Sequence, residues 1–351
     1  MSRFHALAIA SLFFILCFSQ GTTHASPFPD NNNCGGKLCI QIGTFNIEFL
    51  GDTKRKHYWK GTEYEVNPRT SAQMDRIAKL ISKDLDLEVV VLEEIDTQSQ
   101  RYQWLKTALA KEGYRFLEGT TSERNQFVVV AYDGDEVELA NNWWAELNVP
   151  TDFDIPVNFQ PEHCKVSGQR RPLAVTFKAK NSLFDFMLVG VHFKSKSGGS
   201  RCNHVVRDQQ VRNLLWALDN LPQSKNEKDI IIAGDFNAAL EAYPPLTTPD
   251  PDEIISLKRF KDAGYVDLSG AAYRAANSSG FSYLPRSFRQ TIDHLMIRLA
   301  PTAEFVSKST IIYSVPDEVT NPTGFKMYYD EVSDHAPVYS SFRIDMTDND
   351  N

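Results

Sequence analysis

Apolar residues recur along this chain at two spacings, one for strands and one for helices. Residues 39–49 alternate apolar and polar positions, which predicts a strand. Residues 68–84 place Met74, Ile77, Ala78, Leu80 and Ile81 at helical spacing behind Pro68, which predicts a helix. The β-branched run 87–92 predicts a buried strand, and 100–112 a second helix ended by Gly113. Residues 126–132, the pair 173–178 and 183–193 around Asn181, and 229–233, 290–298 and 337–344 are predicted as further strands. Residues 203–221 predict a helix with Val206, Leu214, Leu215 and Leu218 on one side, stopped by Pro222. Asn141-Asn142 suits a turn ahead of Trp143-Trp144. Strands outnumber helices, and hairpin-like neighbours mix with helix-separated ones. That pattern predicts an α/β (α+β) fold of mixed sheets packed together, with helices outside.

No interior Gly/Ser or Pro-rich stretch reads as a linker, and no repeat is visible. One domain, residues 26–351, is expected after an N-terminal targeting segment. Arg3 precedes the apolar run Ala6 to Phe18, and Thr23-His24-Ala25 supplies small residues for cleavage near Ala25. The apolar run is shorter than the roughly 20 residues that a spanning helix needs. Residues 1–25 are therefore read as a signal peptide and the protein as secreted or periplasmic. Export changes the reading of the cysteines. Cys17 leaves with the signal, and Cys34, Cys39, Cys164 and Cys202 remain for an oxidising compartment. Cys34 and Cys39 flank Gly35-Gly36, which favours a local bridge and leaves Cys164 with Cys202. A zinc site is the rival reading, but the four do not form paired CxxC knuckles.

The formal net charge is −8, so the protein does not attract nucleic acid as a whole. Any phosphate binding rests on local cations and a bound metal. Candidate chemistry gathers at the ends of the apolar strands: Asn46, Glu93-Glu94, His192, Asp235 with Asn237, Asp293, and Asp334-His335. Each alone has a plain structural explanation. Asn46 fits a turn cap, Glu93-Glu94 a solvated loop, His192 a bonded core histidine, and Asp235-Phe236-Asn237 an Asx turn. Together they supply the carboxylates, amides and imidazoles that a hard metal with general acid–base chemistry requires.

Thr44-Phe45-Asn46-Ile47, Leu92-Glu93-Glu94-Ile95, Val191-His192-Phe193, Gly234-Asp235-Phe236-Asn237, Ile292-Asp293-His294 and Ser333-Asp334-His335-Ala336-Pro337-Val338 follow in that order. In this the chain resembles the endonuclease/exonuclease/phosphatase (DNase I-like) superfamily, over roughly residues 40–343. Its look is nearest to the bacterial secreted or periplasmic nucleases. The resemblance implies a four-layer sandwich of two packed mixed sheets with helices on the outer faces. It implies a phosphodiesterase using Mg²⁺ or Mn²⁺, with Ca²⁺ also compatible, held by Glu94 with Asn46 and Asp334. His335 would activate the attacking water, oriented by Asp293. Asp235 and Asn237 would position nucleophile and phosphate, and His192 would donate to the phosphate. In the family a Gln usually precedes the metal-binding Glu. Here Glu93 stands in that place and is expected to add negative charge.

For the substrate, Lys194, Lys196 and Arg201 follow His192, with His204 and Arg207 beyond them. Arg170-Arg171 resembles the arginine that DNase I-like nucleases use near the scissile phosphate, without saying which of the two aligns. Arg286 and Arg289 are further phosphate or surface candidates. A solvated basic loop is the plain alternative for the residues after His192. Nucleic acid, with DNA favoured, is the expected substrate. Sphingomyelin or a phosphoinositide is the alternative, and a non-catalytic binding protein on the same fold a third. No GxSxG elbow, P-loop or HExxH motif is present. No stable membrane association is expected, and a monomer is expected.

Overall fold

The computed structural model describes residues 38–59, 62–156, 163–196, 202–223, 227–239, 251–275, 280–285, 289–298 and 302–346. The predicted signal segment, the Cys34–Cys39 pairing, Arg201 and Arg286 lie outside the described residues.

Two six-stranded sheets are built on one plan, each around a parallel pair. In the first, β1 (Cys39–Leu50) runs parallel to β4 (Val89–Ile95). Antiparallel strands flank this pair: β16 (Val338–Arg343) beside β1, and β6 (Phe127–Asp133) beside β4. β15 (Ile311–Ile312) and β5 (Tyr114–Glu118) form the edges. In the second, β11 (Asp185–His192) runs parallel to β12 (Ile230–Asp235). Here β14 (Asp293–Arg298) and β10 (Leu173–Ala179) flank the pair, with β13 (Tyr265–Asp267) and β7 (Val137–Glu146) at the edges.

Alternation along the strands sorts side chains between layers. Ile40, Ile42, Val89 and Val91 of the first sheet meet Val175, Phe177, Leu188, Ile231 and Ile297 of the second in a shared core. The opposite face of the first sheet, with Phe45, Val90 and Leu92, packs on α1 (Ser71–Lys79), α2 (Gln100–Ala110) and α6 (Pro322–Glu331). The outer face of the second, with Val189, Val191 and Ile232, packs on α3 (Cys202–Asn220) and α4 (Pro251–Asp262). Helix α5 (Leu268–Ala275) adjoins β14. The result is a four-layer sandwich, as the resemblance implies. All described residues lie within one compact unit, Cys34–Asn351. Among them, no helix is long and apolar enough to cross a membrane.

Several boundaries differ from the sequence reading. The first helix starts later, because Thr70 and Gln73 form a capping box, and it ends in a π-helical turn over Leu80–Asp84. Strand β4 continues through Glu93 and Glu94 to Ile95, so those acids belong to the sheet rather than to a loop. Strand β14 starts at Asp293 itself. Asn141 and Asn142 do adopt left-handed φ of 53° and 50°, but inside β7. There they shift the register against β10 between Val175 and Phe177, so the expected turn is a bulge. Two hairpins were not foreseen: β2 (Arg55–Trp59) with β3 (Thr62–Val66), and β8 (Phe153–Pro156) with β9 (His163–Val166). Cys164 of β9 is bonded to Cys202 at the start of α3, tying the second hairpin to the outer helix layer.

Candidate active site

Both parallel pairs end at the same edge of the sandwich, and that is where the acids and imidazoles collect. Asn46 pairs in register with Glu93 near the ends of β1 and β4, and His192 pairs with Asp235 at the ends of β11 and β12. Strand β14 runs antiparallel to β12, so its first residue, Asp293, sits opposite Asp235. His335 comes just before β16, whose Val338 pairs with Thr44 of β1. Gly234 allows the closest of these approaches. It has φ +151°, and a Cβ there would stand 1.9 Å from the carbonyl oxygen of Val191.

Glu94 also has an unusual backbone, with φ 61° in a non-glycine residue, and the β1–β4 register shifts between Asn46 and Leu50. Its carboxylate is held from three sides. Oε2 accepts from the Phe49 amide at 2.9 Å and from Gln126 Nε2 at 2.7 Å, and Oε1 from Asn46 Nδ2 at 3.3 Å. Asn46 Nδ2 also reaches Asp235 Oδ2 at 3.1 Å, while its Oδ1 accepts the Glu48 amide at 2.9 Å. The amide of Asn46 thus turns its donor side to the two carboxylates. His192 Nε2 lies 3.8 Å from Glu94 and 3.6 Å from Asp235. Asp235 Oδ1 accepts the Asn237 amide at 2.7 Å, the Asx turn foreseen in sequence, and Asn237 Nδ2 donates to the Phe193 carbonyl.

On the other side of Asp235, Asp293 Oδ2 lies 2.8 Å from His335 Nδ1. Ser282 Oγ accepts the amides of Ile292 and Asp293, both at 3.0 Å. Ser333 fixes the histidine: its Oγ donates to the Asn46 carbonyl at 2.7 Å and accepts the His335 amide at 3.0 Å. The ring of Tyr283 lies 4.9 Å from the imidazole of His335. With Nδ1 bonded to Asp293, Nε2 faces away from it, and Asp334 Oδ1 is 3.8 Å distant.

Crowded, buried acids perturb one another. Asp235 is pushed up to about 7, first by burial and then by Asp293. Asp334 is likewise pushed up to about 7 by burial and by Glu48. Burial drives the His192 imidazole well below its ordinary value, and Arg170 adds to the effect. Burial alone would lower His335 too, but the charge and hydrogen bond of Asp293, with Asp334 and Asp235, hold it well above. Glu93 is fully buried beside the Thr44 hydroxyl, and burial pushes its carboxyl well above the ordinary range. A protonated Glu93 would have the shape of a Gln and add no charge.

Oxygens of Glu94, Asp235, Asp293 and ring nitrogens of His192 and His335 converge in two overlapping groups. In Glu94, His192, Asp235 and in Asp235, Asp293, His335, the donor atoms lie within 4.8 Å of one another. Asp293 Oδ1 and Asp334 Oδ1 are buried without a hydrogen-bond partner. Oxygen donors with repelling charges and unused lone pairs suit a small hard divalent cation.

The basic residues divide. Arg170 is buried on the site side, with Nε donating to the Gln126 carbonyl and Nη2 to Gln126 Oε1. Arg171, the next residue along, turns its Nε to the Val149 carbonyl, so of the two it is Arg170 that joins the cluster. Lys194 Nζ lies 3.2 Å from Glu123, which also stands 3.7 Å from Arg170. Lys196 donates to Gln290. Arg207, a candidate cation by sequence, is instead buried and supports the loop by donating to the Lys194 carbonyl at 2.8 Å. Arg289 pairs with Glu318 at 2.6 Å. Glu123 and Gln126 were missed in the sequence. Gln126 stood at the start of a predicted strand, but nothing in its neighbours marked it as the contact between Arg170 and Glu94.

The sequence profile of the Endonuclease/Exonuclease/phosphatase family matches residues 43–335. The chain belongs to that family. Family members are in general phosphodiester and phosphomonoester hydrolases that depend on divalent metals. Solved structures of like fold include the human Nocturnin catalytic domain with bound sulfate. It has 16% identity and a TM-score of 0.55, covering 87% of this chain and 94% of that one. A 3'-5' exonuclease (NExo) from Neisseria meningitidis gives 14% identity and a TM-score of 0.54, covering 87% and 100%. A family protein from Bacteroides thetaiotaomicron gives 16% and 0.54, covering 88% and 98%. No protein of curated function matches the chain in sequence.

Proposed function

We propose that this family member is a secreted, divalent-metal-dependent phosphodiesterase that hydrolyses nucleic acid, DNA foremost, by attack of a histidine-activated water. The observation carrying this reading is the convergence of Glu94, His192, Asp235, Asp293 and His335 at one sheet edge, with His335 bonded through Nδ1 to Asp293. Glu94 and Asp334 are the carboxylates that would hold Mg²⁺ or Mn²⁺, with Asn46 fixing Glu94 and Asp235 as a further oxygen donor. Bound there, a divalent cation supplies charge neutralisation at the phosphoryl oxygens.

The protein's own groups do the rest. Asp293 holds the Nδ1–H of His335, so Nε2, once deprotonated, accepts the proton of the attacking water. Asp235, tied to Asn237, orients that water. His192 and Arg170 donate to the phosphoryl oxygens as charge develops. Lys194 meets a phosphate in an otherwise acidic protein. Related folds support the nucleic-acid reading: NExo is described as a 3'-5' exonuclease, and as a 3' phosphatase bound to a product DNA hairpin. Export is supported by the apolar segment Ala6 to Phe18 and by the oxidised Cys164–Cys202 pair. Exported protein should begin at Ser26, read by mass spectrometry.

The test is purified protein with Mg²⁺ or with EDTA on plasmid DNA, RNA, sphingomyelin and a phosphoinositide. Metal-dependent nicking of DNA, lost in His192→Ala and His335→Ala, is expected. Hydrolysis of sphingomyelin or phosphoinositide alone would refute the nuclease reading. No turnover of any substrate would favour a binding protein.

A further inference from the structure

Lys194 and Arg170, two cations beside the reacting groups, share a single carboxylate. Glu123 Oε1 lies 3.2 Å from Lys194 Nζ, and Oε2 lies 3.7 Å from Arg170 Nη1 and 3.2 Å from Gln169 Nε2. Gln126 bridges Arg170 to Glu94, so this trio borders the phosphoryl site.

The carboxylate is held where it is. Glu123 and Gln126 face each other across a two-residue turn, with φ of 55° at Arg124 and 59° at Asn125. Positive φ at both central positions is the geometry of the tightest hairpin turns. The Gln126 amide bonds the Glu123 carbonyl at 3.0 Å. The Gln126 side chain is itself clamped between Glu94 and Arg170. Glu123 is therefore a fixed negative charge at the mouth of the phosphate cradle, not a loose surface acid. Its charge opposes an incoming phosphate beside the two cations, and a phosphodiester brings only one negative charge against it. A phosphomonoester above its second ionisation near pH 6 brings nearly twice that charge against the same carboxylate.

We propose that Glu123 is a specificity-determining residue that sets this site for phosphodiesters and against phosphomonoesters. It does so by repelling the second negative charge, as discrimination by an unfavourable contact with the wrong ligand does. The inference rests on the proposed phosphodiesterase reading, with Arg170 and Lys194 meeting the phosphate. One unit of charge a few ångströms from the ligand at a partly buried site changes the preference by about tenfold or more.

The test is Glu123→Gln, with kcat/KM measured at pH 8 on bis(p-nitrophenyl) phosphate and on p-nitrophenyl phosphate, both with Mg²⁺. The diester-to-monoester ratio should fall about tenfold, mainly through gain on the monoester. Inorganic phosphate, titrated calorimetrically into the metal-free variant, should bind about tenfold more tightly than to wild type. Glu123→Asp keeps the charge and should keep the ratio within about threefold of wild type. A Glu123→Gln protein with a lower melting temperature and an unchanged ratio would show a structural role and overturn the inference. Equal losses on both esters would do the same. Wild-type protein that turns over neither ester refutes the proposed function, and the inference falls with it. Wild-type turnover of the diester with an unmoved ratio in Glu123→Gln overturns the inference alone.

Discussion

Replacing Asp293 by Asn is the sharpest single perturbation of the proposed chemistry. Asp293 and His335 are both nearly inaccessible, 1% and 4% exposed, and their bond is 2.8 Å long. At that separation and an effective dielectric constant near 20, the attraction of a carboxylate for an imidazolium is about 6 kcal/mol before desolvation is counted. Asparagine removes the charge. Its amide also donates where the carboxylate accepted, driving the imidazole proton to Nε2, the atom that must accept from water. The analogous change in a Ser-His-Asp triad costs about 10⁴-fold in kcat. We expect a loss of 10³- to 10⁴-fold here, or about 4–5.5 kcal/mol of barrier. The assay is kcat on plasmid DNA or an aryl phosphodiester across pH 5–10, beside thermal melts of both proteins. His335 is held above its ordinary value largely by Asp293, so the limb of the pH profile that reports its deprotonation should move to lower pH in the variant. The stability effect has a sign as well. A raised imidazole contributes fully below its unfolded value of about 6.5, and the contribution fades as pH rises through the folded value. The melting deficit of Asp293→Asn should therefore be larger at pH 6 than at pH 9. Activity within tenfold of wild type, or a large loss with an unmoved pH limb, would refute the reasoning.

Three further outcomes follow from the packing. Gly234→Ala should fail to accumulate as folded protein, because its Cβ would collide with the Val191 carbonyl, and gel filtration with circular dichroism reads this. Native-like melting of that variant would contradict the close β11–β12 approach. Cys164→Ser with Cys202→Ser removes a link between residues 38 apart, and urea melts should show a loss of about 3–4 kcal/mol. Glu93→Gln should keep activity within about threefold, since a protonated carboxyl has the shape of Gln. A carboxyl held above its unfolded value loses its contribution as pH rises from that value through the folded one, so the variant's stability advantage over wild type should grow with pH. A shrinking advantage would show that Glu93 is charged when folded.

Much of the architecture was legible because the central strands are buried on both faces and so read as unbroken apolar runs. Val89 to Leu92 and Ile230 to Ala233 could be little else. The edges were not. Strand β7 carries exposed polar positions and a bulge at Asn141-Asn142, and local signals made that bulge a turn. The hairpin β2–β3 is bound by charge rather than by an apolar stripe. Arg55 and His57 reach Glu48, and His57 also lies 3.2 Å from Asp330, partners too distant in sequence to infer. The candidate site divides in the same way. Glu94, His192, Asp235, Asp293 and His335 stand at strand ends, and their assembly in the family's motif order marks them. Glu123 and Gln126 act through a turn that brings them to Arg170 and Lys194, and no local pattern encodes that meeting. Sequence shows that Glu93 carries a carboxyl group but not that it is fully buried.

The most direct test of the account is hydrolysis of a phosphodiester in ¹⁸O-labelled water by the purified protein, with Mg²⁺ present and then chelated. The account predicts one ¹⁸O atom in the product phosphoryl group, turnover that vanishes with EDTA, and none above background in His335→Ala. Undiminished turnover without a divalent cation, or an unlabelled phosphoryl product, would contradict it.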